Sequence, residues 1–161
     1  MQHTVLIALG TNLDDRLQNL QTALEKLRSF IDIQRRSSIY ETEPWGYSEQ
    51  PPFLNQVILG TSELGAEALL GALKDIEADM GRRPTFRYGP RLIDLDLLFY
   101  DDLVWHTGDL IIPHPRLQER PFVLVPLAEI APEWEHPVLR LTVAEMAEAA
   151  GAGGVRLLST G

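Results

Sequence analysis

The stretch GRRPTFRYGPRLIDLDLLFY, residues 81–100, joins a basic loop to an apolar strand, and it decides how this chain folds. Its second half is an apolar run, interrupted by two aspartates, that predicts a strand, whereas Gly89 and Pro90 in its first half favour a turn. Immediately upstream, residues 65–81 carry apolar side chains at helical spacing and end on a glycine. The order helix, loop, strand therefore completes the sheet that the first half of the chain begins.

Apolar spacing and turn residues predict the elements that precede this stretch. We expect strands over residues 4–9, 31–42 and 53–62, and a helix over residues 14–30. Together with the helix and strand of residues 65–100, they form the order β-α-β-β-α-β. That order predicts an α+β, ferredoxin-like core, which is an antiparallel sheet with both helices packed on one face. The residues after 100 predict short strands, turns and two short helices that decorate this core.

Length and composition predict a single domain over residues 1–161, which is long enough to bury a core. The formal net charge of -9 argues against a nucleic-acid binder held by a basic surface. No apolar run reaches the roughly 18 residues of a membrane span, and the first residues lack the basic segment of a secretion signal. The sequence also contains no cysteine, which fits a reducing compartment, and these features together predict a cytoplasmic protein. The lack of a dedicated association surface favours a monomer.

Two aspartates interrupt the apolar strand at the end of the opening stretch. Because side chains alternate across a strand, Asp94, Asp96 and Leu98 should share one face, with the two carboxylates roughly 7 Å apart. The opposite face is apolar and is expected to pack on the helices; it carries Ile93, Leu95, Leu97 and Phe99. The simpler interpretation of the aspartates is a polar face open to solvent. The functional interpretation is a Mg²⁺ site, since hard cations prefer carboxylate oxygens together with water and phosphate.

The basic loop before the strand favours the functional interpretation. Residues 82–91 contain four of the 14 basic residues and no acidic residue, which is unusual for the surface of an acidic protein. Guanidinium groups pair with phosphate oxygens through two hydrogen bonds, and carboxylates bind the metal ion that accompanies a polyphosphate. His114, Arg116 and Arg120 supply further donors, or alternatively belong to a solvated loop. No glycine-rich phosphate loop occurs, so side chains would have to hold a nucleotide.

A second group of residues suits a flat heterocycle. A loop rich in proline supplies Trp45 and Phe53, and Asn55 shares a strand face with Phe53. An aromatic platform beside an amide, which both donates and accepts hydrogen bonds, suits a planar polar ring. Phe122 is a second candidate platform. The alternative is that both phenylalanines belong to the core and that Asn55 is a satisfied polar residue.

Four segments together carry a family resemblance: LGTNL, YETEPWGYSEQPPFLNQV, GRRPTFRYGPRLIDLDLLFY and IPHPRLQERPFVLVPLAEIAP, in this order. Over residues 5–132 the chain resembles the 6-hydroxymethyl-7,8-dihydropterin pyrophosphokinase family of folate biosynthesis. The resemblance implies transfer of the pyrophosphoryl group of ATP to the hydroxymethyl group of the pterin, with release of AMP. It also implies two Mg²⁺ ions.

The resemblance implies roles for individual residues. Asp94 and Asp96 match the pair that binds both magnesium ions, and the implied catalytic set adds Arg82 and Arg91. The implied ATP contacts are Glu77, Arg82, Arg83, Arg87, Arg91, Leu97, His114 and Arg120. The implied pterin contacts are Thr42, Glu43, Trp45, Phe53, Asn55, Tyr88 and Phe122, with the two phenylalanines on either side of the ring. Residues 43–52 and 82–89 match mobile loops that close over the substrates.

The mechanism that follows is an attack of the pterin hydroxyl on the β-phosphorus of ATP, in which arginines and metal ions stabilise charge on the phosphates. No side chain stands out as a general base. The residues alone leave two other functions open. One is a nucleotide sensor without chemistry, which would bind ATP without forming AMP. The other is a metal-dependent phosphohydrolase, which would release phosphate without pterin. A purely structural domain would not need basic residues beside the acidic pair.

Overall fold

The computed structural model of the protein describes residues 1–43, 51–81, 92–108 and 110–159. Its strands are β1 His3–Thr11, β2 Asp32–Arg36, β3 Ile39–Thr42, β4 Phe53–Ser62, β5 Asp94–Tyr100, β6 Trp105–Thr107, β7 Leu110–Ile112 and β8 Val155–Ser159. Its α-helices are α1 Arg16–Leu27, α2 Ala66–Asp79, α3 Pro121–Ile130 and α4 Val143–Ala150, and a short 3-10 helix covers Leu117–Glu119. Within these ranges, no helix combines the length and the apolar composition needed to cross a membrane.

The long strands form one antiparallel sheet in the order β5-β1-β4-β3-β8, and β2 also pairs with β4. Because β2 and β3 are consecutive and pair with consecutive parts of β4, they act as two halves of one strand. Counted in this way, the core has the predicted β-α-β-β-α-β order, with β1 between β4 and β5. The short strands β6 and β7 form a separate hairpin.

The prediction of one uninterrupted strand over residues 31–42 is wrong, because Ser37 and Ser38 break it. The Ser37 amide donates to the Val57 carbonyl at 2.8 Å, and the Ser37 hydroxyl accepts the Val57 amide at 2.9 Å. Between β2 and β3 the chain contains one residue more than the facing part of β4. An extra residue of this kind bends a strand. The serine hydroxyl keeps the backbone of β4 hydrogen-bonded at the bend.

Both helices of the predicted core, α1 and α2, pack on the same face of the sheet, as expected. On this face, termed the α1/α2 face, the buried sheet residues are Val5, Ile7, Leu9, Leu54, Ile58, Leu95, Leu97 and Tyr100. Asp15 caps the start of α1, since its carboxylate accepts the Gln18 amide at 3.1 Å. Beyond the end of α2, Gly81 has φ +80°, a conformation that glycine adopts without strain. Local helix signals therefore position both helices of the core.

The predicted face of Phe99 is wrong, because a β-bulge reverses the alternation of β5. Leu98 is an extra residue of β5 that β1 does not match. Phe99 consequently lies on the face opposite α1 and α2, where its ring centroid is 5.8 Å from that of Trp134 and 5.7 Å from that of His136. The bulge follows the two aspartates, so their alternation is unaffected.

The opposite face of the sheet is covered by α3 and α4 and is termed the α3/α4 face. Its buried sheet residues are Leu6, Ala8, Val57, Leu98 and Phe99. α4 begins with a capping box, in which Glu145 accepts the Thr142 amide at 2.9 Å and Thr142 accepts the Glu145 amide at 3.1 Å. β8, which the sequence did not predict, pairs with β3 and extends the sheet. The C-terminal part of the chain therefore builds a second core layer over the face that carries the aspartates.

Candidate active site

The two aspartates of β5 lie on the α3/α4 face, as the alternation predicts. Asp94 pairs with Gly10 of β1, and Asp96 lies two residues further along β5. Both are half-buried in a strand whose other residues are buried. β5 is an edge strand, and the Leu95 amide between the aspartates donates to the Glu77 carboxylate of α2 at 2.8 Å. This hydrogen bond anchors the backbone that carries the two carboxylates.

Arg120 brings a guanidinium to these carboxylates from the start of α3. Its Nη1 lies 3.8 Å from Oδ2 of Asp96, and its guanidinium carbon lies 5.8 Å from the centroid of the Phe122 ring. Within the described part of the chain, Nε of Arg120 is buried and has no hydrogen-bond partner. Burying a charged donor without a partner costs free energy. The Arg120 side chain as a whole is 21% exposed, so an anionic ligand beside Asp96 would meet its terminal nitrogens rather than Nε.

His114 belongs to the same cluster. Its amide donates to the Leu98 carbonyl at 3.1 Å, which fixes the residue beside β5, and its Nδ1 accepts the Arg116 amide at 3.4 Å. Burial lowers the pKa of His114, and the charges of Arg120 and Arg116 add to this effect against the opposing charge of Asp96. The neutral ring therefore carries its hydrogen on Nε2, from which it can be donated to an anion.

Asn55 and Thr42 lie on the same sheet face, on the far side of β1 from the aspartates. Asn55 is buried, and its Nδ2 donates to Oγ1 of Thr42 at 2.8 Å. Gly10 lies between Asn55 and Asp94 in the strand register. A Cβ atom at Gly10 would lie 3.3 Å from Oδ1 of Asn55 and 3.8 Å from Cδ1 of Phe53. The glycine thus keeps space between the acidic pair and the residues predicted to bind the pterin.

Asp94 and Asp96 fit a hard divalent cation. The side chain of Asp96 is 42% exposed although its strand is buried, so its oxygens remain accessible. Among the described residues, no group of three or more His, Cys, Asp or Glu side chains is arranged to hold a metal ion. A pair of carboxylates nevertheless suits Mg²⁺, which keeps water and phosphate oxygens as its remaining ligands.

Residues 6–132 match the family described as 7,8-dihydro-6-hydroxymethylpterin-pyrophosphokinase (HPPK). The chain belongs to this family. It is similar to the 2-amino-4-hydroxy-6-hydroxymethyldihydropteridine pyrophosphokinase of Aquifex aeolicus (strain VF5), with 41% identity over 142 residues that cover 88% of this chain and 89% of that protein. It is also similar to the folic acid synthesis protein FOL1 of Dictyostelium discoideum, with 44% identity over 142 residues that cover 88% of this chain and 22% of that protein.

Solved structures with HPPK in their names share this fold. The chain matches wild-type HPPK-DHPS of Plasmodium falciparum with pteroate at a TM-score of 0.78 and 18% identity, over 92% of this chain and 42% of that chain. The predicted α+β, ferredoxin-like arrangement is confirmed. This HPPK-family chain spans 22% of FOL1 and 42% of the HPPK-DHPS chain, so it corresponds to one part of each longer protein.

Three residues that the resemblance assigns to ligands have other neighbours in this HPPK-family chain. Leu97 is buried in the core of the α1/α2 face, on the side of the sheet opposite Asp96. Glu77 is buried and holds the backbone of β5. Glu43 forms an ion pair with Arg156 at 3.1 Å. Leu97 therefore faces away from Asp96, and the contacts of all three side chains with ATP or pterin stay predictions.

Other predicted site residues lie outside the described residues. They are Trp45, Arg82, Arg83, Arg87, Tyr88 and Arg91, together with most of the predicted loop over residues 43–52 and all of the predicted loop over residues 82–89. Their roles stay predictions from the family resemblance.

Sequence reasoning missed Arg16 and Glu41, which form an ion pair at 2.9 Å near the predicted pterin residues. Arg16 carried a signal, because it opens α1, where the helix dipole disfavours a cation. A basic residue in that position indicates a partner elsewhere in the fold. Gly10 was expected to follow the end of the first strand, whereas β1 continues through it to Thr11. No local signal distinguishes this strand glycine from a turn glycine.

Proposed function

We propose that this chain transfers the pyrophosphoryl group of ATP to the hydroxymethyl group of 6-hydroxymethyl-7,8-dihydropterin, giving the pterin diphosphate and AMP. Membership of the HPPK family and similarity to the Aquifex pyrophosphokinase support this activity. The structural observation that carries the proposal is the convergence of Asp96, Arg120 and His114 on one sheet face. An accessible carboxylate, a fixed cation and a neutral donor suit phosphoryl transfer, which depends on positioning and on charge stabilisation.

The pterin would occupy the part of this surface formed by β3 and β4. Oδ1 of Asn55 borders the space left by Gly10 and offers an acceptor for the N–H groups of the ring. Phe53 begins β4 on the same face, and Phe122 lies beneath the Arg120 guanidinium, so both remain candidates for stacking on the ring. In this arrangement Gly10 separates the ring from the acidic pair.

We also propose that Asp94 and Asp96 hold two Mg²⁺ ions, the number that the family resemblance implies. When bound, the metal ions would supply neutralisation of the phosphate charge. Arg120 lies 3.8 Å from Asp96, so this carboxylate has a charged neighbour that orients it before a ligand binds. Removal of divalent metal with a chelator should abolish turnover and leave the thermal unfolding of the ligand-free protein unchanged.

In the proposed reaction, the oxygen of the pterin hydroxymethyl group forms a bond to the β-phosphorus of ATP. The bond from that phosphorus to the α-phosphate oxygen breaks, AMP leaves with the electron pair, and the hydroxyl proton passes to solvent. Arg120 and Nε2 of His114 would donate to the phosphate oxygens, where negative charge must be stabilised. Arg82 and Arg91, which the family resemblance implicates, would add to this stabilisation.

The protein is further proposed to act as a monomer, as one domain over residues 1–161, in the cytoplasm. The absence of cysteine supports a reducing compartment, and the net charge of -9 disfavours nucleic acid as a partner. Size-exclusion chromatography with light scattering tests the monomer, which predicts a mass near 18.1 kDa.

One assay tests the proposed activity. Purified protein is incubated with ATP, Mg²⁺ and 6-hydroxymethyl-7,8-dihydropterin, and AMP and pterin diphosphate should appear in equal amounts. Omitting the pterin should prevent AMP formation. Binding of ATP without AMP would instead favour a nucleotide sensor, and release of inorganic phosphate without pterin would favour a phosphohydrolase.

A further inference from the structure

A network of charged residues joins the start of α1 to β3 and β8. Nη1 of Arg16 donates to Oε2 of Glu41 at 2.9 Å, and Nη2 of Arg156 donates to Oε1 of Glu41 at 2.7 Å. Nη1 of Arg156 also donates to Oε1 of Glu43 at 3.1 Å. Each oxygen of the Glu41 carboxylate therefore has its own guanidinium donor. These four residues are termed the Glu41 network.

The centre of the Glu41 network is partly buried, which strengthens the attraction between its charged side chains. The side chains of Arg16 and Glu41 are 28% and 20% exposed, so their attraction is screened less than that of an ordinary surface ion pair. The guanidinium groups of Arg156 and Arg16 lower the pKa of Glu41 below its ordinary value, against the effect of burial. Glu41 is therefore ionised throughout the neutral range.

Arg16 joins β3 to β4. The same Nη1 that binds Glu41 of β3 donates to the carbonyl oxygen of Pro52 at 2.9 Å, immediately before Phe53 begins β4. The residue after Glu41 is Thr42, which is the register partner of Phe53. One guanidinium therefore holds the two backbone segments that place Thr42 and Phe53 opposite each other.

The side chain of Glu41 and those of Thr42 and Asn55 lie on opposite sides of the same strands. Glu41 pairs with Leu54, whose side chain is buried on the α1/α2 face. Thr42 and Asn55 project to the other face, where their side chains are hydrogen-bonded to each other. The sheet therefore separates the side chain of Glu41 from a pterin bound at Asn55. An effect of Arg16 and Glu41 on the pterin would act through the backbone of β3 and β4.

We propose that Arg16 and Glu41 are positioning residues for pterin recognition. They hold the ends of β3 and β4 so that Thr42, Phe53 and Asn55 keep the spacing that a flat ring requires. A misplacement of about 1 Å is enough to weaken recognition and catalysis strongly. This proposal rests on the proposed function, because it needs the pterin as the ligand of these three residues.

Two variants test the proposal. Arg16→Met removes the donor shared by Glu41 and Pro52 and keeps an extended side chain, whereas Glu41→Gln keeps the shape of the side chain but removes the charge and one of its two acceptor oxygens. Titration with ATP measures nucleotide affinity, and titration with 6-hydroxymethyl-7,8-dihydropterin in saturating α,β-methylene-ATP measures pterin affinity. We expect each variant to raise the pterin Kd about tenfold and to leave the ATP Kd within about twofold. Lys26→Met is the matched control, because it removes the ion pair with Asp79 at the other end of α1 and should change neither constant.

A comparison of the double variant with the two single variants distinguishes a positioning role from a general loss of stability. If Arg16 and Glu41 act through one contact, the double variant should raise the pterin Kd little more than either single variant does. Arg16→Lys keeps the charge but not the planar guanidinium, so it should recover only part of the affinity. Thermal unfolding checks that each variant is folded. If Arg16→Met does not fold, the milder variant Glu41→Gln tests the positioning role on its own.

An unchanged pterin Kd in a folded Glu41→Gln protein would overturn the positioning role, and so would ATP and pterin constants that rise together. Both outcomes leave the transferase activity of the unmodified protein intact. Failure of the proposed function is distinguishable, because the unmodified protein would then bind no pterin and form no AMP.

Discussion

Nη1 of Arg120 lies 3.8 Å from Oδ2 of Asp96, and this pair joins the start of α3 to the edge strand β5. The carboxylate remains accessible, whereas Nε of Arg120 is buried and, in the described part of the chain, has no acceptor. A pair that leaves a charged donor unsatisfied is arranged for a ligand rather than for stability of the ligand-free protein.

Asp96→Asn should lower turnover by about 10²- to 10³-fold, the effect typical of removing one group that stabilises charge in a transition state. The change keeps the shape of the side chain, so thermal unfolding should differ little from that of the unmodified protein. Formation of AMP and pterin diphosphate at saturating substrate measures the loss. Asp75→Asn, at an exposed position of α2, is the control. Normal turnover in folded Asp96→Asn protein would contradict the proposed metal ligand.

Arg120→Met should separate activity from stability. The change eliminates a buried donor without a partner in the described part of the chain, and such a donor costs about 1–3 kcal/mol. We therefore expect Tm to rise, by about 2–4 °C for each kcal/mol relieved, while the ATP Kd increases by about tenfold or more. Scanning calorimetry and ATP titration measure the two effects. Arg140→Met, which removes an exposed guanidinium paired with Glu135, should leave ATP affinity unchanged. A fall in Tm of Arg120→Met would mean that its attraction to Asp96 outweighs the burial cost.

Asn55→Ala should act on the pterin and not on the nucleotide. Asn55 is buried, and its Nδ2 donates to Oγ1 of Thr42 at 2.8 Å, so the truncation removes a polar group held in one orientation. We expect the pterin Kd to rise by about 10- to 100-fold, equivalent to about 1.4–2.8 kcal/mol. Separate titrations of pterin and ATP measure the effect, with Gln18→Ala as a control at an exposed amide of α1. Equal weakening of both ligands would contradict the assignment of Asn55 to the pterin.

His136 should make the protein less stable at acidic pH. Burial lowers its pKa below the ordinary value of 6.5, and its Nδ1 accepts the amides of Val138 and Leu139, each at 3.1 Å. As the pH falls through about 6.5, the unfolded chain takes up a proton that the folded protein resists. The contribution of neutral His136 to the free energy of unfolding is therefore complete above about pH 6.5 and decreases below it.

His136→Asn checks this pH dependence, because an asparagine oxygen can accept the same amides without titrating. Between about pH 7.5 and about pH 5.5, the Tm of this variant should fall less than that of the unmodified protein. His106→Asn, on an exposed strand of the β6–β7 hairpin, should follow the unmodified protein. Parallel curves for His136→Asn and the unmodified protein would rule out His136 as the titrating group.

Predictions from the sequence were correct where the spacing of side chains along one strand or one helix was enough to decide which way they face. The alternation of a strand placed Asp94 and Asp96 on one face, and helical spacing placed α1 and α2 on the other. The same alternation failed at Phe99, because the bulge at Leu98 depends on how β5 pairs with β1. It also failed at Ser37, where the strand break depends on pairing with β4. Pairing is a property of two strands, so neither strand alone encodes it.

In the candidate site, too, the sequence identified residues but not their arrangement in space. Motifs named Asp96, His114 and Arg120 separately, but only the fold brings them to one surface, since β5 and the start of α3 meet through the second core layer. The same motifs named Leu97, whose side chain the fold buries on the opposite face. A motif identifies residue types at fixed spacing and contains no information on which side of the sheet each side chain lies.

The sequence alone determined the β-α-β-β-α-β order of the core, the family and the residues with the right chemistry, because periodicity and motifs are written along the chain. The tertiary structure alone decided which of them meet. Arg16 contacts Glu41 and Pro52 only because α1 packs beside the ends of β3 and β4. Contacts of this kind join distant parts of the chain, and they form only when burial of the apolar faces of the sheet brings those parts together.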